Sequence, residues 1–267
     1  DMLDNGREMT MPGGPNGESS GKSDNITDLT KYGNLGMAAK WSRKWNAKLF
    51  GNTMISFYIY YNKRDRSHEQ TMTDTSGTEE NRNFGSLENN YLKDISFKSD
   101  FQYDIFQHNQ LQAGVYGTQY NIAYNFEQND SMVLDRHDIG ILAGAYFQDK
   151  ISIFRNSLQI IPGIRSSWYQ PTEKLYYEPR FSLSYAATKR LTLKGATGRY
   201  YQFANKITRE DLLAGNKEAW ILSDNDRIPV SSAEHLIGGI NYENTKFAIS
   251  LEGYYKEMHN LTEYTLR

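Results

Sequence analysis

Cysteine is absent from the 267 residues, proline occurs only six times, and the 30 basic and 32 acidic side chains nearly cancel to −2. The first absence excludes disulfide scaffolds, cysteine-based zinc sites and cysteine nucleophiles. The lack of a clustered basic excess argues against a phosphate-binding face, so nucleic acid is not an expected partner. Long hydrophobic runs are missing too. The longest stretch without a clearly polar side chain, residues 139–147, has nine positions, far short of the roughly 20 that a membrane-crossing helix needs. That rules out a helical membrane protein but not a barrel, whose strands alternate a wet face with a greasy one. No charged-then-apolar leader pattern opens the chain either. Asp1 begins an acidic stretch rich in Gly, Pro, Ser and Asn, as expected of a processed or excised piece.

What is present points to strands. Twenty tyrosines, twelve phenylalanines and 21 glycines suit a pleated, turn-rich chain better than a helical one. Period-two alternation appears ten times, in or near residues 35–41, 49–61, 91–103, 110–124, 139–147, 158–168, 177–186, 191–203, 234–242 and 247–255. In the clearest segment, Tyr177, Pro179, Phe181, Leu183 and Tyr185 oppose Glu178, Arg180, Ser182, Ser184 and Ala186.

The links alternate in length. Short ones fall at 42–46, 104–109, 150–156, 187–190 and 243–246; long polar ones fall at 62–90, 125–136 and 204–232, with 170–174 as the exception. Tight turns at one end and long loops at the other is how an outer-membrane barrel is built. Tyrosines at the long-loop ends (Tyr60–Tyr61, Tyr176–Tyr177, Tyr254–Tyr255) and Trp41, Tyr103, Tyr185 and Tyr242 at the short-turn ends fit two interfacial girdles. Residues 1–32 then form an external loop, 33–261 carry about ten strands, and 262–267 start the next external loop. Both ends lie on the long-loop side, so the chain is expected to be part of a larger barrel.

Several runs carry a family resemblance. They are Tyr-Phe-Gln-Asp-Lys (146–150), Ile-Ile-Pro-Gly-Ile-Arg (160–165), Glu-Pro-Arg-Phe-Ser-Leu-Ser-Tyr (178–185) and Leu-Thr-Leu-Lys-Gly-Ala-Thr-Gly-Arg-Tyr-Tyr-Gln (191–202), followed by Gly-Tyr-Tyr-Lys-Glu-Met-His-Asn-Leu-Thr-Glu-Tyr (253–264). In order and spacing they resemble the middle of the barrel of TonB-dependent outer-membrane receptors, most nearly those of Bacteroidota. The resemblance covers residues 139–267. It implies an all-β, antiparallel transmembrane barrel of 22 strands, filled by an N-terminal plug, that binds a scarce nutrient outside and imports it when TonB pulls on the plug. No plug-like or TonB-contacting segment is found among these residues.

Residues with chemistry to offer sort as follows. Glu178 and Arg180 sit two apart on one strand and share a face; Arg165 and Lys194 are expected on the same inner face, as lumen or plug-facing positions. Tyr124, Tyr200 and Trp220 are the candidate ligand contacts on external loops. Trp220, with Ile221, either meets a ligand or folds inward to stiffen its loop. Thr208 to Asp211, ahead of Leu212 and Leu213, has the form of a helix cap. The five histidines, at 68, 108, 137, 235 and 259, lack metalloprotease spacing. Asp74, Glu79 and Glu80, like Asn129, Asp130 and Asp135, miss the spacing of an EF-hand. No metal, cofactor or catalytic residue is assigned, and Gly-x-Ser-x-Gly and Gly-x-Gly-x-x-Gly are absent.

The expected function is therefore reception and import, not enzymology, in the bacterial outer membrane. Expected partners are outer-membrane lipid, the imported nutrient (a siderophore, cobalamin, glycan or peptide) and the TonB complex through a plug elsewhere; a surface lipoprotein cap is left open. Two rival readings are a passive porin-like channel and a soluble extracellular all-β binding module.

Overall fold

Alternating side chains become one long meander of paired strands. The computed structural model describes residues 3–4, 7–10, 22–73, 79–106, 108–209 and 217–262. Ten strands run up and down in order: β3 (Lys22–Lys44), β4 (Leu49–Thr73), β5 (Glu79–Phe106), β6 (Asn109–Gln128), β7 (Ser131–Ile153), β8 (Leu158–Tyr169), β9 (Lys174–Ala186), β10 (Leu191–Gln202), β13 (Ser231–Glu243) and β14 (Ala248–His259). Each pairs antiparallel with its neighbour in sequence, and two short strands, β1 (Leu3–Asp4) and β2 (Arg7–Thr10), pair with β3. A separate hairpin, β11 (Ala204–Arg209) with β12 (Lys217–Leu222), lies between β10 and β13. All ten expected strands are present.

Register carries the two faces across the sheet, because partners in a ladder point the same way. On one face Ile55 meets Phe97, Phe147 meets Ile164, Pro162 meets Phe181 and Ile160 meets Leu183. Ile55, Phe97, Phe147, Ile164, Phe181 and Leu183 are all exposed. A contiguous exposed apolar band of this kind would aggregate in water, and it is the surface a bilayer covers. The opposite face pairs Arg165 with Glu178 and Lys194 with Ser184.

Three of the short turns share one device. Asn46 Oδ1 accepts the backbone N–H of Lys48 and Leu49, each at 2.8 Å. Thr188 Oγ1 accepts from Arg190 and Leu191 at 3.1 and 3.0 Å, and Asn244 Oδ1 from Lys246 and Phe247 at 2.8 and 2.9 Å. Each side chain mimics a turn carbonyl and closes the hairpin.

Two expected long loops are corrected. The link at 62–90 is mostly strand: the β4–β5 ladder continues from Asn62↔Asn90 to Thr73↔Glu79. The link at 125–136 shrinks to a two-residue turn, Asn129-Asp130, both with positive φ (50° and 59°), the left-handed pair that a tight hairpin requires. Here both faces meet water, so the apolar alternation vanishes from the sequence while the backbone ladder continues. The wall is therefore uneven. β4 rises twelve residues beyond Tyr61, roughly 40 Å along the strand, whereas β8 and β9 stop at Tyr169 and Lys174. Residues 22–32, expected in a loop, are strand as well.

Adjacent tyrosines split between the faces. Tyr61, Tyr177 and Tyr255 are exposed with the apolar band, while Tyr60 and Tyr176 pack inward against buried clusters. The long-loop girdle is thus thinner than composition suggests, and half of its tyrosines line the inner face.

Candidate functional site: the inner wall

Glu178 is the centre of the inner face. Its side chain is 4% exposed, and three donors converge on it. Arg180 Nη2 donates to Oε2 at 2.6 Å, the backbone N–H of Tyr201 donates to Oε1 at 3.2 Å, and Arg165 Nε lies 3.7 Å from Oε2. Pro179 helps to make this arrangement. The β9–β10 ladder ends at Arg180↔Gly198, one residue before the proline, while the β8–β9 ladder runs on past it. A proline has no N–H for the ladder, and beyond its position the Tyr201 N–H turns to the Glu178 carboxylate instead.

The two arginines are held on both sides. Arg165 lies 4.0 Å from the ring centroid of Tyr116, and its Nε donates to the Tyr116 hydroxyl at 2.6 Å. Arg180 lies 4.7 Å over Tyr200. The Tyr116 hydroxyl is 2.5 Å from that of Ser167. This fit needs Gly144, where a Cβ would come within 2.4 Å of both the Ser166 carbonyl and the Tyr116 hydroxyl. Further along, Tyr146 donates to Asp100 at 2.6 Å, and Lys98 sits 3.1 Å from the same carboxylate. Lys98, Gln112, Tyr116, Tyr146, Arg165 and Arg180 line a cavity of about 550 Å³ in the concave wall.

Glu178, Arg180 and Arg165 thus form one cluster, as their shared face predicts. Lys194 takes the same face but stands apart, exposed and paired in register with Ser184. Tyr200 and Tyr124, named as external-loop ligand contacts from the upper ends of their expected strand segments, lie within β10 and β6. Tyr200 stacks at 4.8 Å on His235 as well as under Arg180, so it belongs to the wall. Trp220 is in β12 and packs against the cluster of Leu92, Ile122 and Leu222, the inward alternative. Thr208 lies in strand, and residues 210–213 of the expected cap lie outside the described residues.

Sequence reasoning missed the ion cluster above the apolar band. Arg64 clamps Asp28 through two bonds, 2.8 and 2.6 Å, and Arg66 adds a third at 3.0 Å. The Arg64 hydrogen bond holds the Asp28 carboxyl below its ordinary range, against an opposing effect of burial. The charges sit on two strands 36 residues apart, and only the unexpected extension of β3 and β4 brings them together.

A meander with a greasy convex face and a charged, hydrogen-bonded concave face defines the wall of a membrane β-barrel. The chain belongs to the family described as TonB dependent receptor-like, beta-barrel, which matches residues 4–266. Solved structures agree in fold. A ferric enterobactin receptor mutant from Pseudomonas aeruginosa, in complex with enterobactin, superposes with a TM-score of 0.52 at 10% identity over 97% of this chain and 47% of that one. The siderophore receptor PirA from the same organism gives 0.51 at 11% identity, covering 93% and 54%. BauA, the ferric preacinetobactin receptor from Acinetobacter baumannii, gives 0.51 at 11%, covering 87% and 37%. The chain spans about half the length or less of two of these structures and just over half of the third. No curated protein sequence matches it.

Proposed function

We propose that this chain forms part of the barrel wall of an outer-membrane receptor that captures a large, scarce nutrient outside the cell and imports it through the lumen. The observation that supports this most is the division of the sheet into an exposed apolar face and a face holding Glu178, Arg165 and Arg180. On this reading the cluster stiffens the inner wall against which a plug packs, Lys194 contributes positive charge to the lumen, and Tyr124 faces ligand near the mouth. The tall β3–β7 wall forms one side of an external vestibule. Energy comes from TonB acting on a plug outside these residues. The sequence runs at 146–202 support placement with the receptors of Bacteroidota.

The test is genetic. A strain deleted for the full-length gene is grown with iron chelates, cobalamin, glycans or peptides as the limiting nutrient. Loss of growth on one of them, reproduced by disabling TonB alone, is the expected result. Growth that depends on the gene but not on TonB would replace the receptor with a passive channel.

A further inference from the structure

The connection from β10 to β13 is built like a core, not like a loop. Nine hydrophobic residues are buried among the described residues, and five of them, Phe203, Ile221, Leu222, Ile228 and Val230, lie in this one connection. The other four, Leu92, Ile122, Leu142 and Tyr169, belong to the strands it packs against. The connection starts on the short side of the wall, and β12 reaches back across the concave face to touch β5, β6 and β7.

Its seat is specific. The Leu222 side chain fills a hollow over Gly140, where a Cβ would come within 2.8 Å of Leu222 Cδ1 and 3.0 Å of Pro171. Phe203 stacks on Tyr169 at 4.7 Å, and the Tyr169 hydroxyl is 3.4 Å from the Phe203 carbonyl. Polar groups inside the seat are matched. Asn205 Nδ2 donates to Ser223 Oγ at 3.0 Å, and Ser223, fully buried, donates to the Pro229 carbonyl at 3.1 Å. The Asp224 carboxylate closes the turn below by accepting three backbone N–H groups, those of Asp226, Arg227 and Ile228, at 2.9 to 3.0 Å. Undocking the connection would expose apolar side chains that the wall now covers, Phe203, Leu222 and Val230 among them, so the seated state is strongly favoured.

We propose that residues 203–207 and 219–231 form a permanently seated inlay that narrows the mouth of the lumen over β5–β9, and that it stays seated while the receptor works. Cargo then passes the inlay along the β13–β14 side instead of displacing it. This rests on the reading of the concave face as a lumen. The inlay is a specificity-determining element, because its fixed bulk limits which cargo fits.

The chain has no cysteine, so single cysteines placed in it report cleanly once any cysteines elsewhere in the full-length receptor are replaced. The variants Ile221→Cys (buried) and Asp226→Cys (exposed, same connection) are treated in intact cells with a membrane-impermeant maleimide. The expected result is labelling at 221 at least 100-fold slower than at 226, equally in energised and protonophore-treated cells. Labelling at 221 within tenfold of 226, or rising that far only in energised cells, overturns the inlay. Adding Gly140→Leu fills the hollow and should raise labelling at 221 at least tenfold; where that variant does not assemble, Leu222→Ala is expected to act in the same direction. No rise in either would mean the hollow is not the seat, which also overturns the proposal. A third cysteine, Phe181→Cys on the apolar face, keeps the two ideas apart. Fast aqueous labelling there would sink the membrane-wall reading without touching the comparison of 221 with 226.

Discussion

At the scale of single residues, the inner cluster and the ion pairs outside the bilayer differ in what they contribute. Glu178 sets one carboxylate against two guanidinium groups and caps a ladder end, all from a buried position. Glu178→Gln keeps the shape but leaves Arg165 and Arg180 facing each other without a counter-charge. We expect a loss of about 2 kcal/mol, discounted because both arginines are partly exposed, read by urea titration of the full-length barrel in lipid vesicles. Asp28 predicts a pH effect. Its folded-state pKa is depressed by Arg64 and Arg66, so its contribution is full above the ordinary value of 3.8 and fades as pH falls through the lower folded value. Amide protection in upper β3 and β4, with the intrinsic pH dependence of exchange divided out, should therefore fall progressively as pH drops below about 5, by the ratio typical of about one lost charge-assisted bond. Asp28→Asn should show the lower protection already at pH 5, with little further change. An unaltered pH response in that variant would remove Asp28 from the account.

At the scale of elements, the turns decide where the wall ends. Asn129 holds a left-handed conformation and accepts the Gly85 N–H at 3.0 Å, while its own N–H donates to the Gly85 carbonyl at 2.9 Å. Asn129→Ala loses the side-chain bond and strains the backbone, together about 1 kcal/mol, which hydrogen exchange should register at Gly85 and at residues 126–134 only. Asp130→Gly should slow exchange there, because glycine suits the second position of this turn. The same turn shows how far the sequence is legible. Strands such as β9 are readable because lipid on one side and water on the other force a period of two onto Leu175 to Tyr185. Above the bilayer water meets both faces, so Arg64, Asp65, Arg66 and Ser67 continue a strand with no alternation to betray it. Glu178, Arg180 and Arg165 were readable as one face from spacing and register logic. The inward seat of Trp220 and Leu222 was not, because it depends on Gly140, some 80 residues earlier, and on a crossing that no local pattern encodes.

At the scale of the whole molecule, the division between two solvents separates a membrane wall from the soluble binding module that is its main rival. Phe181 lies near the middle of the apolar row on β9, flanked in register by Pro162 on β8 and Thr197 on β10. Its neighbour Ser182 points the other way and pairs with Ile161 and Ala196. In a bilayer, Phe181→Arg carries a charge into hydrocarbon at mid-depth, which costs about 2–4 kcal/mol. Ser182→Arg adds the same charge to an inner face that already holds Arg165, Arg180 and Lys194 and has water and hydrogen-bonding groups to receive it, so it should cost under about 1 kcal/mol. Equilibrium folding of the full-length barrel into lipid vesicles measures both, with heat-modifiable migration on a gel as the check that each variant assembled. A soluble sandwich would pack the same apolar row against a second sheet and fold in water, so the cost at 181 alone does not separate the two. Dependence on lipid does: the full-length barrel should stay unfolded without vesicles, and the cost of an arginine should fall from Phe181 toward Tyr177 and Tyr185, nearer the interfaces. Folding in lipid-free and detergent-free buffer, or an arginine cost that is flat along the row, would overturn the membrane wall independently of any cargo, plug or energy source.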